Sequence, residues 1–149
     1  MKITTWNVNG YRAVLKKDFK KSIKDLNPDI LCLQETKARL DQLEDEDYQI
    51  QGYKMAWNAA ERPGYSGVAL FHRDSLEIKN ISFGIGVEEF DKEGRTIRVD
   101  IGNYVIYNNY FPNGQRGKDR VDFKLRFYAR LLENCKELHS AGKNIIITG

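Results

Sequence analysis

Pro28-Asp29-Ile30-Leu31-Cys32-Leu33-Gln34-Glu35 is the stretch on which the fold turns. Proline cannot continue a helix, and the unbroken apolar run behind it has the pattern of a strand covered on both faces. Working backwards, Val14, Leu15, Phe19, Ile23 and Leu26 recur at helical spacing, and residues 2–8 read as an earlier strand closed by a turn at Asn9-Gly10. Strand, helix and strand in that order suggest a βαβ unit with a parallel pair.

Working forwards, Asp41, Glu44, Asp45, Glu46 and Asp47 form an acidic stretch suited to a short helix or irregular loop. Beyond Tyr53 the hydrophobic period falls towards two, which predicts strands over 53–57, 67–72, 76–83, 95–101 and 104–110. Gly102-Asn103 is a two-residue turn signal, so the last two strands should form an antiparallel hairpin. A polar Gly- and Arg-containing loop then leads into a helix carrying Val121, Leu125, Tyr128, Leu131, Leu132, Cys135 and Leu138 on one stripe, with Gly142 as its stop. Residues 144–148 read as another buried strand, and the chain ends at Gly149 on its last residue. Residues 1–149 are therefore expected to be a single, incomplete α/β domain with mixed sheets.

With 41% hydrophobic and 30% charged residues, the composition argues against disorder and against a fibrous repeat. No apolar run approaches the ~20 residues of a membrane span, and the start lacks the regions of a signal peptide, so a cytoplasmic location without membrane partners is expected. Cys32 and Cys135, the two cysteines, fall at apolar positions and read as small core residues. The net charge of +3 is uninformative, but lysines crowd residues 16–24 and basic residues crowd 116–130. Both clusters suit a polyanion, although the lysine cluster is better read as a solvated helix face.

In open α/β sheets, ligands gather beyond the C-terminal ends of the parallel strands. Asn7 and Glu35 fall at two such ends. An unpaired carboxylate there would be costly to bury. A hard cation such as Mg²⁺ removes that problem, since it takes one or two carboxylates and fills its shell with water and phosphate oxygens. Position alone favours the structural reading, in which Glu35 pairs with Lys37 or opens a helical turn. His72 follows an apolar strand and His139 lies near a helix end; both read as structural.

Five stretches in order carry a more specific signal: Trp6-Asn7-Val8-Asn9-Gly10 with Arg12-Ala13, Leu33-Gln34-Glu35-Thr36-Lys37, Gly64-Tyr65-Ser66-Gly67-Val68-Ala69, Glu93-Gly94-Arg95, and Tyr110-Phe111-Pro112-Asn113-Gly114. Together they resemble the exonuclease III-type AP endonucleases of the endonuclease/exonuclease/phosphatase superfamily. The resemblance implies the N-terminal half of a four-layer α/β sandwich. It implies a DNA-repair nuclease that cuts the backbone 5′ to abasic sites and removes 3′ blocking groups or nucleotides. It further implies Glu35 as a ligand of Mg²⁺ (or Mn²⁺ in its place), Asn7 as organiser of the metal and catalytic groups, and Tyr110 beside the scissile phosphate. Arg12, Ala13, Gly64, Tyr65, Arg95, Asn113 and Arg116 become DNA contacts, with an internal salt bridge as the alternative for Arg95. Trp6 is expected to pack beneath the site.

The family pattern continues as Gly-Asp-x-Asn, and this chain stops on that glycine. The water-activating aspartate, its paired asparagine, a later aspartate and the catalytic histidine lie beyond it. Without a positioned acid or base a hydrolase typically loses about 10²–10⁴ in rate, so the 149-residue chain alone is expected to be close to inactive unless a complementary C-terminal half or second chain is supplied. The alternatives are another phosphodiesterase of the superfamily, or a DNA-binding or assembly module without catalysis.

Overall fold

A computed structural model describes residues 1–115 and 117–149. The expected parallel pair is present: β1 (Ile3–Asn7) runs beside β2 (Ile30–Gln34), with Asn7 opposite Gln34. Strand β2 pairs antiparallel with β4 (Val68–Arg73), which pairs with β3 (Tyr53–Asn58), giving the order β1-β2-β4-β3. A second sheet holds β5 (Asn80–Phe83), β6 (Thr96–Ile101), β7 (Tyr104–Asn109) and β8 (Asn144–Thr148) in sequential order. Within it β6 and β7 form the expected hairpin around Gly102-Asn103, and β7 and β8 are parallel.

Side-chain alternation on β2 explains the layers, because successive residues of a strand point to opposite faces. Ile30 and Cys32 pack with Ile97, Val99 and Ile106 of the second sheet. Leu31 and Leu33 pack with Tyr11 and Val14 of α1 (Tyr11–Leu15) and with Phe19 and Ile23 of α2 (Phe19–Leu26). On the far side, α5 (Lys118–Ser140) lays Phe123, Phe127, Leu131 and Cys135 against Val105 and Tyr107 of β7. Helix, sheet, sheet and helix make the four-layer sandwich. Both cysteines are buried and free.

One buried polar group ties the two sheets together. Asn108 on β7 donates to the carbonyls of Leu33 (3.1 Å) and Ala69 (2.8 Å) and accepts from Gln34 Nε2 (2.7 Å). A buried amide satisfied this way favours one alignment of the sheets over any slipped one.

The structure corrects several details. The first helical stretch is two helices, because Asp18 adopts the left-handed conformation (φ 54°), which a short polar side chain tolerates. The strand expected over 76–83 is confined to β5; Leu76 instead closes a turn by bonding Arg73 O. The acidic stretch does carry the short helix α3 (Asp45–Tyr48), whereas α4 (Glu88–Asp91) was not foreseen. The stripe on α5 is partly different, with Leu131, Cys135 and Leu138 packed inward as expected. Its core face is Phe123, Phe127, Leu131 and Cys135, while Val121, Leu125, Tyr128 and Leu132 are exposed. Helix α5 is apolar on two faces, and a helical period alone does not say which faces the sheet. Trp6 is half-buried against Phe19, with ring centroids 5.8 Å apart. His72 is buried with Nδ1 on the Arg73 carbonyl, and His139 is exposed at the end of α5.

Candidate active site

The sequence-expected convergence is realised at the ends of β1, β2 and β7. Glu35 leaves β2 in the left-handed region (φ 55°), a conformation uncommon for a residue with a side chain and found disproportionately at functional sites. Backbone bonds hold it there: Gly10 N–H donates to Glu35 O (2.7 Å), and Thr36 and Lys37 N–H donate to Gly67 and Ser66 carbonyls (3.1 and 2.9 Å). Gly67 permits this approach, since a Cβ on it would lie 2.3 Å from Thr36 Oγ1.

Three groups converge on the Glu35 carboxylate. Asn7 Nδ2 donates to Oε1 (2.9 Å), Lys37 Nζ pairs with Oε2 (2.8 Å), and the Tyr110 phenol lies close enough to favour the charged form. Partial burial alone would raise the carboxyl's pKa, but Lys37, Asn7 and the neighbouring Tyr110 phenol together hold it below the ordinary carboxylate range. Tyr110 moves the other way. Burial and the neighbouring Glu35 carboxylate push its phenol up to about 12, so it stays protonated at neutral pH. Asn7 Oδ1 accepts from the Asn9 N–H (3.1 Å), which fixes the amide so that its nitrogen faces Glu35.

The cluster opens on a cleft of about 740 Å³ whose wall includes Lys37, Arg62, Gly64, Tyr65, Lys92, Tyr110 and Asn113. Gly64 (φ 67°) is exposed, with open space where a Cβ would stand. Arg12 and Ala13 are exposed on α1 and do not line this cleft. Arg95 borders it but is only 2% exposed. Its guanidinium pairs with Glu93 (2.5 Å) and donates to Tyr110 O and Tyr65 OH (both 2.8 Å). The salt-bridge alternative is therefore the arrangement present. Arg116 lies outside the described residues. The sequence marks Glu93 only as the opening of the Glu-Gly-Arg motif and Arg120 only as one of the basic residues crowding 116–130.

This architecture and these motifs can be set beside known proteins. The model of the endonuclease/exonuclease/phosphatase family matches residues 4–149. The chain belongs to that family. It is 41% identical to an exodeoxyribonuclease of Bacillus subtilis, covering 100% of this chain and 57% of that protein. It is 35% identical to a DNA-(apurinic or apyrimidinic site) endonuclease of Dictyostelium discoideum, covering 41% of that protein. Among solved structures, the catalytic domain of Xenopus laevis APE2 superposes with a TM-score of 0.85 at 30% identity, over 99% of this chain and 57% of that one. The resemblance carried by the five motifs is thus upheld for family and fold. The chain spans about half the length of these relatives. The family's nucleases are metal-dependent. Among the described residues no helix is long and apolar enough to cross a membrane.

Proposed function

We propose that this chain supplies part of the active site of a DNA-repair nuclease that hydrolyses phosphodiester bonds 5′ to abasic sites and at 3′ ends, with Mg²⁺ as cofactor and Mn²⁺ as its substitute. The observation that carries the reading is the Glu35–Asn7–Lys37–Tyr110 cluster, which opens on a cleft flanked by Arg62 and Lys92. One ionised carboxylate at the mouth of an open cleft suits a hard cation that takes few protein ligands and keeps most of its water. Glu35 would hold the ion, with Asn7 orienting the carboxylate. When bound, the ion supplies positive charge to the phosphoryl oxygens.

The chain's own residues do the rest. Tyr110, kept protonated, has one proton to donate, and it turns that proton from Glu35 to a phosphate oxygen when DNA is bound. Gly64, Tyr65 and Asn113 line the path of the backbone, and Arg12 and Ala13 extend the DNA contacts beyond it; Arg116 is a further DNA contact on the sequence resemblance alone. Arg95, already committed to Glu93, supports Tyr65 and Tyr110 rather than meeting DNA directly. Backbone contacts of this kind suit an enzyme that works at any sequence.

Among the described residues no three His, Cys, Asp or Glu side chains gather as a metal site. This supports a need for further ligands from a complementary C-terminal half. Two features suit its docking: β1 and β8 are sheet edges, and an apolar groove of about 280 Å³ lies between α5 and β8, lined by Phe111, Tyr128, Leu132 and Ile147 among others. The test is incision of a synthetic abasic-site duplex by the chain alone and with that half. We expect cleavage only in the second case, abolished by EDTA and by Glu35→Ala. The second reading, a DNA-binding module without catalysis, is favoured by the Lys37–Glu35 pair, which already neutralises the carboxylate. Salt-dependent duplex binding with no turnover in either case would establish it.

A further inference from the structure

Glu93 carries no chemistry in the cluster around Glu35, yet it lines the same cleft as the hub of a second network. Its Oε2 meets Arg95 Nε (2.5 Å) and Arg120 Nη2 (2.6 Å), and Oε1 meets Arg120 Nη1 (2.9 Å). The two guanidiniums then converge on one atom: Arg95 Nη2 and Arg120 Nη2 donate to the Tyr65 hydroxyl oxygen at 2.8 and 3.0 Å. A phenol has one proton to donate and two lone pairs with which to accept. With both accepting positions taken by cationic donors, Tyr65 can only donate. Whatever it meets in the cleft must be an acceptor.

Resting on the reading of this cleft as a DNA site, we propose that Glu93 is a positioning residue for DNA recognition. It holds Arg95 and Arg120 so that Tyr65 is fixed as a hydrogen-bond donor to a backbone phosphate oxygen. The local fold supports the arrangement. The segment bearing Tyr65 is anchored to the one bearing Glu93, through Glu61 N–H on Lys92 O (2.9 Å) and through Gly94, whose absent Cβ would otherwise lie 2.4 Å from the Ala59 carbonyl carbon. Arg62 lies 5.3 Å from the Tyr65 ring centroid, and Arg95 lies 5.5 Å from it.

Electrostatics and positioning predict opposite signs here. Removing a carboxylate from a polyanion-binding cleft should tighten binding and steepen its salt dependence. Removing the hub of a positioning network should weaken binding and leave the salt slope unchanged, because the lost donor is neutral. The experiment is fluorescence anisotropy of a synthetic abasic-site duplex with the 149-residue chain over a salt series, with thermal unfolding followed alongside. Expected are losses of roughly ten-fold for both Tyr65→Phe and Glu93→Gln, the scale of one hydrogen bond to a charged group. The double variant should lose no more than either single one. Arg120→Gln, in the first turn of α5, should weaken binding in the same non-additive way and keeps the test open should Glu93→Gln fail to fold. Equal or tighter binding by Glu93→Gln, or additive losses in the double variants, overturns the assignment alone. Absence of binding by the unmodified chain overturns the DNA reading and the assignment with it.

Discussion

Glu35 and Glu93 are both ionised against the pull of burial, and the sign of that shift sets a pH test. In each, desolvation raises the carboxyl pKa, and it is outweighed by Lys37, Asn7 and Tyr110 in one case and by Arg120 and Arg95 in the other. A carboxyl whose folded pKa lies below its ordinary 4.5 contributes stability that is complete above that value. The contribution is lost as pH falls through the lower folded value. Acid unfolding followed by circular dichroism should therefore set in below about pH 4.5, and Glu93→Gln should be less stable at neutral pH with a shallower acid limb. An acid limb as steep as that of the unmodified chain would contradict the Glu93 contribution. Glu35 was legible in the sequence because a carboxylate directly after an apolar strand is conspicuous. The burial of Arg95 was not, since it depends partly on Arg120 and Tyr65, which only the folded chain brings to it.

Among the elements, the turn from α4 into β6 and the helix α5 make the sharpest claims. Gly94 sits at φ 59°, where a Cβ would fall within 2.6 Å of three backbone atoms of Ala59 and Ala60. Gly94→Ala combines left-handed strain with overpacking against backbone that cannot swing aside. We expect a loss of about 2–4 kcal/mol by chemical denaturation. On α5 the two apolar faces should behave differently. Phe127 is fully buried, and Phe127→Ala should cost about 3–5 kcal/mol. Leu132 is 54% exposed, and Leu132→Lys should change stability by less than about 0.5 kcal/mol. Equal effects at the two positions would refute the orientation of the helix. The alternation in the β6–β7 hairpin and the apolar run of β2 were readable because each strand has one or both faces committed to the core. On α5 the expected stripe holds for Leu131, Cys135 and Leu138 and fails for Val121, Leu125, Tyr128 and Leu132, because the outer face is also apolar and local sequence carries no mark of which face the sheet takes.

For the molecule as a whole, the α/β class and the mixed strand directions were legible in the residue pattern and the four layers came with the family resemblance, whereas the open edges were marked by neither. Strands β1 and β8 each end a sheet with one row of unpaired backbone groups, and exposed Ile147, Leu132 and Tyr128 flank the β8 edge. Open edges with neighbouring apolar surface favour further pairing. If these edges receive the complementary half, amides of residues 3–7 and 144–148 should exchange faster in the isolated chain than those of 30–34 and 105–109. Adding that half should slow exchange at the edges, and adding duplex DNA alone should not, because the DNA cleft is bordered by the loops around Glu35, Tyr65 and Tyr110 rather than by the strand edges. Hydrogen exchange read by mass spectrometry distinguishes the cases. Edges already protected in the isolated chain, more so as its concentration rises, would mean that they pair with a second copy and that the surface is committed to self-association instead.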